Sequence, residues 1–217
     1  MPRVLIPRLD ILPSAQQALW PELKATPNQF TLYGGTALAL RLGHRTSVDF
    51  DFFSQASFDP DRLFSAVPYL AGSRVIQREE NTLTCLVTRN GPVLVSFFGA
   101  PRVGRIEEPT PVEGPGFQVA SLIDLAGTKA DVIQKRAQAK DYLDIDALLG
   151  AGITLPMALA AAKAICGKDF EPLITVKALT YFGDGDLPTL PLEIQRRLTS
   201  AATAVDLAAL PKFDLIC

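Results

Sequence analysis

The chain has 217 residues, 48% of them apolar and 20% charged, enough for one large or two small domains with a real hydrophobic core. Its net charge of −2 rules out a chain-wide field for polyanions, so any nucleic-acid contact must come from a local basic patch. The three cysteines, Cys85, Cys166 and Cys217, are odd in number and far apart. That suits free thiols in a reducing, cytoplasmic setting better than a disulfide framework. One histidine and no close cysteine pair argue against zinc. The start, Met1-Pro2-Arg3-Val4-Leu5-Ile6-Pro7, lacks the apolar core of a signal peptide, and no apolar run approaches the roughly 20 residues of a membrane span.

In chain order, residues 1–13 read as a proline-punctuated arm, and Ser14 opens a helix to about Leu23 that Pro27 stops. Phe30–Tyr33 reads as a buried strand, Thr36–Leu42 as a short helix ended by Gly43, and Val48–Phe53 as the next strand. Asp59-Pro60-Asp61 supplies an N-cap, a first-position proline and a first-turn acid for a helix over Pro60–Val67. Strands follow at Arg74–Glu79, Thr82–Thr88 and Pro92–Phe98, the last two joined by the hairpin dipeptide Asn90-Gly91. Trp20, Phe30 and the phenylalanines at 50, 52, 53, 97 and 98 are assigned to the core. The proline- and glycine-rich stretch from Gly99 to Gly116 reads as the passage between two lobes. Beyond it the pattern is helical: a helix from the capping box at Ser121 to about Lys135, then Asp141–Leu149, Pro156–Ile165, Phe170–Phe182 and Leu192–Leu210. The expectation is an α+β fold, with a mixed-sheet lobe over 1–115 followed by a helical lobe over 116–217.

Two constellations carry chemistry. In the first, Gly34-Gly35-Thr36 sits between a strand and a helix, where backbone N–H groups, a helix N-terminus and a hydroxyl can cradle an anion. Some 14 residues on, Asp49 and Asp51 leave one face of a strand together, with Phe50 and Phe52 behind them. Two adjacent carboxylates repel unless a cation lies between them or one is protonated, and a divalent ion with hard oxygen ligands resolves the conflict. Arg41, His44 and Arg45 lie between turn and acids; together these parts suit metal-assisted phosphoryl or nucleotidyl transfer. The bland alternatives are an empty tight turn and an edge strand with solvated acids. In the second constellation, Lys129, Arg136 and Lys140 fall in one helical sector with Leu125, Ile133 and Leu143 if the helix is unbroken. Either the helix breaks around Ala137-Gln138-Ala139 or the cations enter a cleft; the bland alternative is snorkelling lysines and a Lys140–Asp144 pair.

The run from Gly34-Gly35-Thr36 through Arg41-Leu42-Gly43-His44-Arg45-Thr46-Ser47-Val48-Asp49-Phe50-Asp51-Phe52-Phe53 resembles the signature of the AbiEii/AbiGii toxin family. These are nucleotidyltransferases related to the DNA polymerase beta superfamily. The block from Asp124 through Lys129 and Arg136 to Lys140-Asp141-Tyr142-Leu143-Asp144 is similar to that family's second signature. The resemblance implies a nucleotidyltransferase lobe and a helical lobe with the active site in the cleft between. Gly34, Gly35 and Thr36 would hold the triphosphate, Asp49 and Asp51 would bind Mg²⁺, and Arg45 and Ser47 would steady the nucleotide or the metal-binding strand. Lys129 and Lys140 would neutralise phosphates, and Asp141 would orient a lysine or the acceptor. It further implies a nucleoside triphosphate donor, tRNA as a candidate acceptor and a controlling antitoxin. One departure stands out: where the superfamily places a third carboxylate on a later strand, this chain has Ser96. A weak or inactive nucleotide- or RNA-binding member is therefore the alternative, with a scaffold for a partner protein and a kinase as further rivals.

Overall fold

The computed structural model describes residues 4–100 and 104–216; the expectations for Met1–Arg3, Pro101 and Cys217 lie outside the described residues. The chain divides into two compact units. Among the described residues, the first comprises those up to Ala100 with Pro109–Ala120, and the second Gly104–Glu108 with Ser121 onward. The expected single boundary at 115/116 is therefore replaced by three passages of the chain between units.

The first unit is built on a sheet of β1 (Thr31–Tyr33), β2 (Asp49–Ser54), β3 (Arg74–Glu79), β4 (Thr82–Thr88), β5 (Pro92–Gly99), β6 (Thr110–Pro111) and β7 (Gln118–Val119). Their order is β3-β4-β5-β2-β1-β7-β6. The sheet is mixed: β2 runs parallel to β5 and antiparallel to β1, while β1 runs parallel to β7. Among the described residues the α-helices that accompany it are α1 (Ser14–Leu19), α2 (Gly34–Leu42) and α3 (Pro60–Ala66). Asp59 caps α3 by accepting from the N–H groups of Asp61 and Arg62, and Gly43 ends α2 in the left-handed conformation at φ 64°.

Alternation along the strands sorts the side chains. Phe50, Phe52, Val95, Phe97, Leu83 and Cys85 are inaccessible, and their rings form a stacked row, Phe50 to Phe52 at 6.4 Å and Phe52 to Phe97 at 5.5 Å. Trp20 and Phe117 close over this row, Phe117 lying edge-on to Phe52 at 5.5 Å. The stretch read as a linker thus contributes core: Val112 and Phe117 are buried and flank the β6–β7 hairpin. Two-residue strands seeded with Pro111, Gly114, Pro115 and Gly116 carry no period that a sequence pattern can show. They form because β1 would otherwise be an open edge.

The second unit is helical: α4 (Leu122–Lys135), α5 (Ala139–Gly150), α6 (Leu155–Cys166), α7 (Pro172–Ala178) and α8 (Leu192–Thr203). The capping box is present, with Ser121 Oγ accepting from the Asp124 N–H at 3.1 Å and donating to Asp124 Oδ2 at 2.6 Å. The helix expected over 170–182 is shortened to α7, and the one expected over 192–210 ends at Thr203, with a separate turn at Leu207–Ala209. A Cβ on Gly127 would stand 2.9 Å from the Ala161 backbone, so the missing side chain lets α4 and α6 pack backbone to backbone. Cys85 and Cys166 are free thiols; burial pushes Cys85 up and Cys166 up to about 11, which keeps both protonated near neutrality. Among the described residues, no single helix is long and apolar enough to cross a membrane.

Phe52 is fully buried at the centre of the aromatic row. Phe52→Ala should cost about 3–5 kcal/mol, the usual range for a large core aromatic, read as a lowered urea midpoint with unchanged slope.

Candidate functional site

The first constellation assembles within the sheet unit. Core packing behind β2 leaves Asp49, Asp51 and Phe53 on the opposite, half-buried face. Gly34, the first residue of α2, follows Tyr33, which pairs with Asp51 across the β1–β2 ladder. A Cβ at Gly34 would stand 2.9 Å from Asp51 Oδ2, and the residue has φ +73°, so glycine is required on two counts. A Cβ at Gly35 would stand 2.5 Å from Arg45 Nη2 and 3.0 Å from Ser47 Oγ. The fold therefore brings Gly34, Gly35, Arg45, Ser47 and Asp51 into contact range around the N-terminus of α2. Asp49 lies two residues along the same face.

Thr36 takes a different place from the expected phosphate contact. It is 1% exposed, and its hydroxyl donates to the Asp49 carbonyl. It ties α2 to the acidic strand and has no surface to offer a ligand. Arg41 is likewise committed, donating to the carbonyls of Ala120 at 2.8 Å and Val119 at 3.1 Å. Arg45 Nη1 donates to the Thr46 carbonyl at 2.9 Å, which curls the guanidinium back toward the turn.

Ser96 is the register partner of Asp51 on β5 and of Thr84 on β4. It is 3% exposed, and Thr84 Oγ1 donates to its hydroxyl at 3.3 Å. The position beside the acid pair is thus filled by a buried hydroxyl pair. Further along this face, Tyr33, Phe53 and Phe98 form a half-buried aromatic row, with centroids 5.4 Å and 4.9 Å apart. Phe53 and Phe98 are therefore not part of the core assigned to them from sequence. Counting in twos from Asp51 was the available signal.

The second constellation lies in the helical unit. The helix does break: α4 ends at Lys135, Arg136 is extended, and α5 begins at Ala139. Lys129 Nζ reaches Asp141 Oδ1 at 2.8 Å and Asp144 Oδ2 at 2.6 Å. Arg136 forks onto Asp141 at 2.7 Å and 3.0 Å. The Lys129 side chain is 6% exposed and both carboxylates are sealed. Its charge is already matched, which corrects the expectation that Lys129 neutralises phosphate; Lys140, by contrast, is exposed. Burial pushes the Asp141 carboxyl up, but the Arg136 hydrogen bonds and the Lys129 charge outweigh it and hold the group below its ordinary range.

Comparison with known proteins agrees with this architecture. A family model described as nucleotidyl transferase AbiEii toxin of type IV toxin–antitoxin systems matches residues 22–214. The chain belongs to that family. An uncharacterised protein of Aquifex aeolicus is 34% identical over 161 residues, covering 72% of this chain and 75% of the relative. MenT4, a nucleotidyltransferase toxin from Mycobacterium tuberculosis, superposes with a TM-score of 0.57 at 16% identity, over 87% of this chain and 83% of the other. An H. pylori protein assigned to the nucleotidyltransferases gives 0.56 at 21% identity, over 87% and 91%. At those identities the two structures establish the fold. The family match places the chain among the nucleotidyltransferase toxins.

Whether the residues suit a divalent ion follows from the donor set. Asp49 and Asp51 offer hard carboxylate oxygens on one face, and the missing Cβ of Gly34 keeps the space against Asp51 open. Among the described residues, no group of three or more His, Cys, Asp or Glu is placed to hold a metal. Two carboxylates with the balance from substrate phosphates and water is the usual Mg²⁺ arrangement, so the residues fit.

Gly35→Ala should fold, because the methyl meets the flexible end of Arg45, and on the triphosphate reading proposed below it should weaken that binding on the order of tenfold through the displaced guanidinium; a thermal melt and a calorimetric titration read the two separately. Asp141→Ala leaves Lys129 and Arg136 without their shared carboxylate and should cost about 3–5 kcal/mol. Because the native pKa of Asp141 is depressed, its contribution is complete above the unfolded-state value of about 3.9 and fades as pH falls through the native one. Urea unfolding followed downward from pH 7 should show the wild type's advantage over the variant constant until about pH 3.9 and narrowing below it.

Proposed function

We propose that the chain is a Mg²⁺-dependent nucleotidyltransferase that moves a nucleoside monophosphate from a nucleoside triphosphate to an acceptor hydroxyl, with tRNA as the acceptor class, as the toxin of a type IV system. What supports this most directly is the contact of the glycine turn with both charged groups, Gly34 against Asp51 and Gly35 against Arg45 and Ser47. An anion cradle and a carboxylate pair of the kind that binds a metal are thereby joined in one patch.

In this reading the N–H groups at the start of α2, the Arg45 guanidinium and the Ser47 hydroxyl hold the phosphates. Asp49 and Asp51 would be the protein ligands of Mg²⁺. When bound, the ion supplies charge neutralisation and polarisation of the α-phosphate. The acceptor oxygen attacks phosphorus in line, the bond to the bridging oxygen breaks, pyrophosphate leaves and the acceptor proton goes to solvent or to a neighbouring base. Thr36 holds Asp49 in place through its backbone. Tyr33, Phe53 and Phe98 present aromatic surface to a base on the same face. In the helical unit Lys129 and Asp141 act as positioning residues for Arg136, and Lys140 is exposed. A cognate antitoxin would be the protein partner, and the cytoplasm the setting.

Ser96 beside Asp51 favours one alternative, a member that binds nucleotide or RNA with little or no transfer. Incubation with α- and γ-labelled triphosphates, Mg²⁺ and total tRNA separates the readings. We expect α-label on RNA, lost by on the order of a hundredfold or more in Asp49→Asn and Asp51→Asn. Undiminished transfer by both variants overturns the assignment, transfer of γ-label makes the protein a kinase, and nucleotide binding without transfer selects the alternative.

A further inference from the structure

The sheet ends on a strand with one side unpaired. In the order β3-β4-β5-β2-β1-β7-β6, β3 is terminal, and its ladder partner among the described residues is β4. Five of its six residues are exposed. An open edge of this kind carries a row of backbone donors and acceptors that another strand can complete. Charges and bulges guard such edges against indiscriminate pairing. β3 has both, and their arrangement admits a particular strand, its own.

The ladder fixes which side chains share a face. Arg74, Gln77 and Glu79 stand opposite Leu86, Thr84 and Thr82, alternate residues of β4 on the face that carries Ser96 and Asp51. Val75 and Arg78 stand opposite Cys85 and Leu83 on the core face. In a regular strand, residues 74 and 79 would lie on opposite faces. The irregularity between Val75 and Gln77 absorbs one residue, Ile76, and brings Arg74 and Glu79 to the same face.

A second β3 laid antiparallel, on a twofold axis perpendicular to the sheet between Ile76 and Gln77, sets Arg74 of each copy opposite Glu79 of the other. Arg74 has no ion-pair partner among the described residues, and Glu79 accepts only from the neutral Gln77 amide at 3.1 Å. Two ion pairs thus form from charges that the single chain leaves unmatched. A parallel copy would instead oppose Arg74 to Arg74, and like charges directly opposite are destabilising. On the core face, Val75 of each copy meets the aliphatic stem of the other's Arg78. The Arg78 guanidinium stays on Asp61 at 2.6 Å and over the Phe64 ring. Ile76, half exposed in the single chain, flanks the axis. We propose that the outer edge of β3 is a docking surface for a second copy of this chain, joined antiparallel through β3 by reciprocal Arg74–Glu79 pairs. The perpendicular axis makes one sheet of two and leaves the Asp49/Asp51 faces of both copies on the same side. The association is set by the edge alone and does not depend on the transferase reading.

Sedimentation velocity of the full chain, from about 1 µM to about 500 µM, reads the association. We expect the wild type to pass reversibly from monomer toward dimer as concentration rises, and to do so less readily in high salt. Arg74→Glu sets carboxylate against carboxylate twice in the dimer, and Glu79→Arg does the same with guanidinium groups. Each variant alone should associate roughly tenfold more weakly. An equimolar mixture of the two should associate again, because one copy then supplies both acids and the other both bases. The combined variant Arg74→Glu/Glu79→Arg should return to within about threefold of the wild type, since its pattern is reversed yet still self-complementary. Both positions are exposed, and a circular dichroism melt of each variant checks that the fold is kept. A wild type that stays monomeric over the whole range overturns the proposal and leaves the edge to a strand of another protein or to none. A dimer indifferent to both reversals overturns it as well, and so does a mixture that fails to associate.

Discussion

The burial of Phe50 and Phe52 under the sheet is the constraint on which the site depends. Both are inaccessible, and the strand period is two, so Asp49 and Asp51 have no choice of face. A slip of one residue would drive two carboxylates into an aromatic row and expose two phenylalanines, a change that combines desolvation of charge with loss of core burial. The acids are therefore aimed by hydrophobic packing on the side they do not face. The remaining parts are hung on that strand: Thr36 fastens α2 to the Asp49 carbonyl, and the two glycines allow the helix start to close on Asp51, Arg45 and Ser47.

The two units handle charge in opposite ways. In the helical unit Lys129, Arg136, Asp141 and Asp144 sum to zero within a cluster whose carboxylates are sealed from water. Such a cluster is costly to break and contributes less net stability than its short distances suggest, because each ion had to leave water first. Its use is geometric, pinning α4 to α5 at the break after Lys135. In the sheet unit the acids and Arg45 are half-buried around a turn of glycines.

Much of this was legible in the residues. β3 and β4 fall where the alternation and turn signals put them, Arg74–Glu79 and Thr82–Thr88, because the turns at Asn81 and Asn90-Gly91 need the positive φ that these residues tolerate. The Asp49/Asp51 pair showed itself by interrupting an apolar run with period two. Features set by tertiary contact were not legible. β6 and β7 are too short to have a period, and they exist as partners for β1. Thr36 reads as a ligand beside Gly34 and Gly35, whereas its hydroxyl is occupied by a carbonyl 13 residues away. Lys129 looked like a free cation because the fold that delivers Asp141 and Asp144 to it depends on the break between α4 and α5, whose direction local propensity does not encode.

Membership of a nucleotidyltransferase family and a serine beside the acid pair are compatible once the demands of the reaction are separated. In-line displacement at phosphorus develops charge on phosphate oxygens and the leaving group, so positioning and neutralisation carry most of the catalysis. In the proposed reading those demands would fall on Gly34, Gly35, Arg45, Ser47, Asp49 and Asp51, which the fold gathers near the start of α2 and along β2. A third carboxylate would add a base for the acceptor proton, which is a smaller share of the barrier. On the proposed reading, Ser96 in its place would act on rate, and the glycine turn and the acid pair are present regardless. The substitution is also self-consistent in packing, since Thr84 hydrogen-bonds the hydroxyl in a strand pair otherwise filled with apolar side chains. An unpaired carboxylate at that buried position would carry a desolvation cost that only a resident cation could offset.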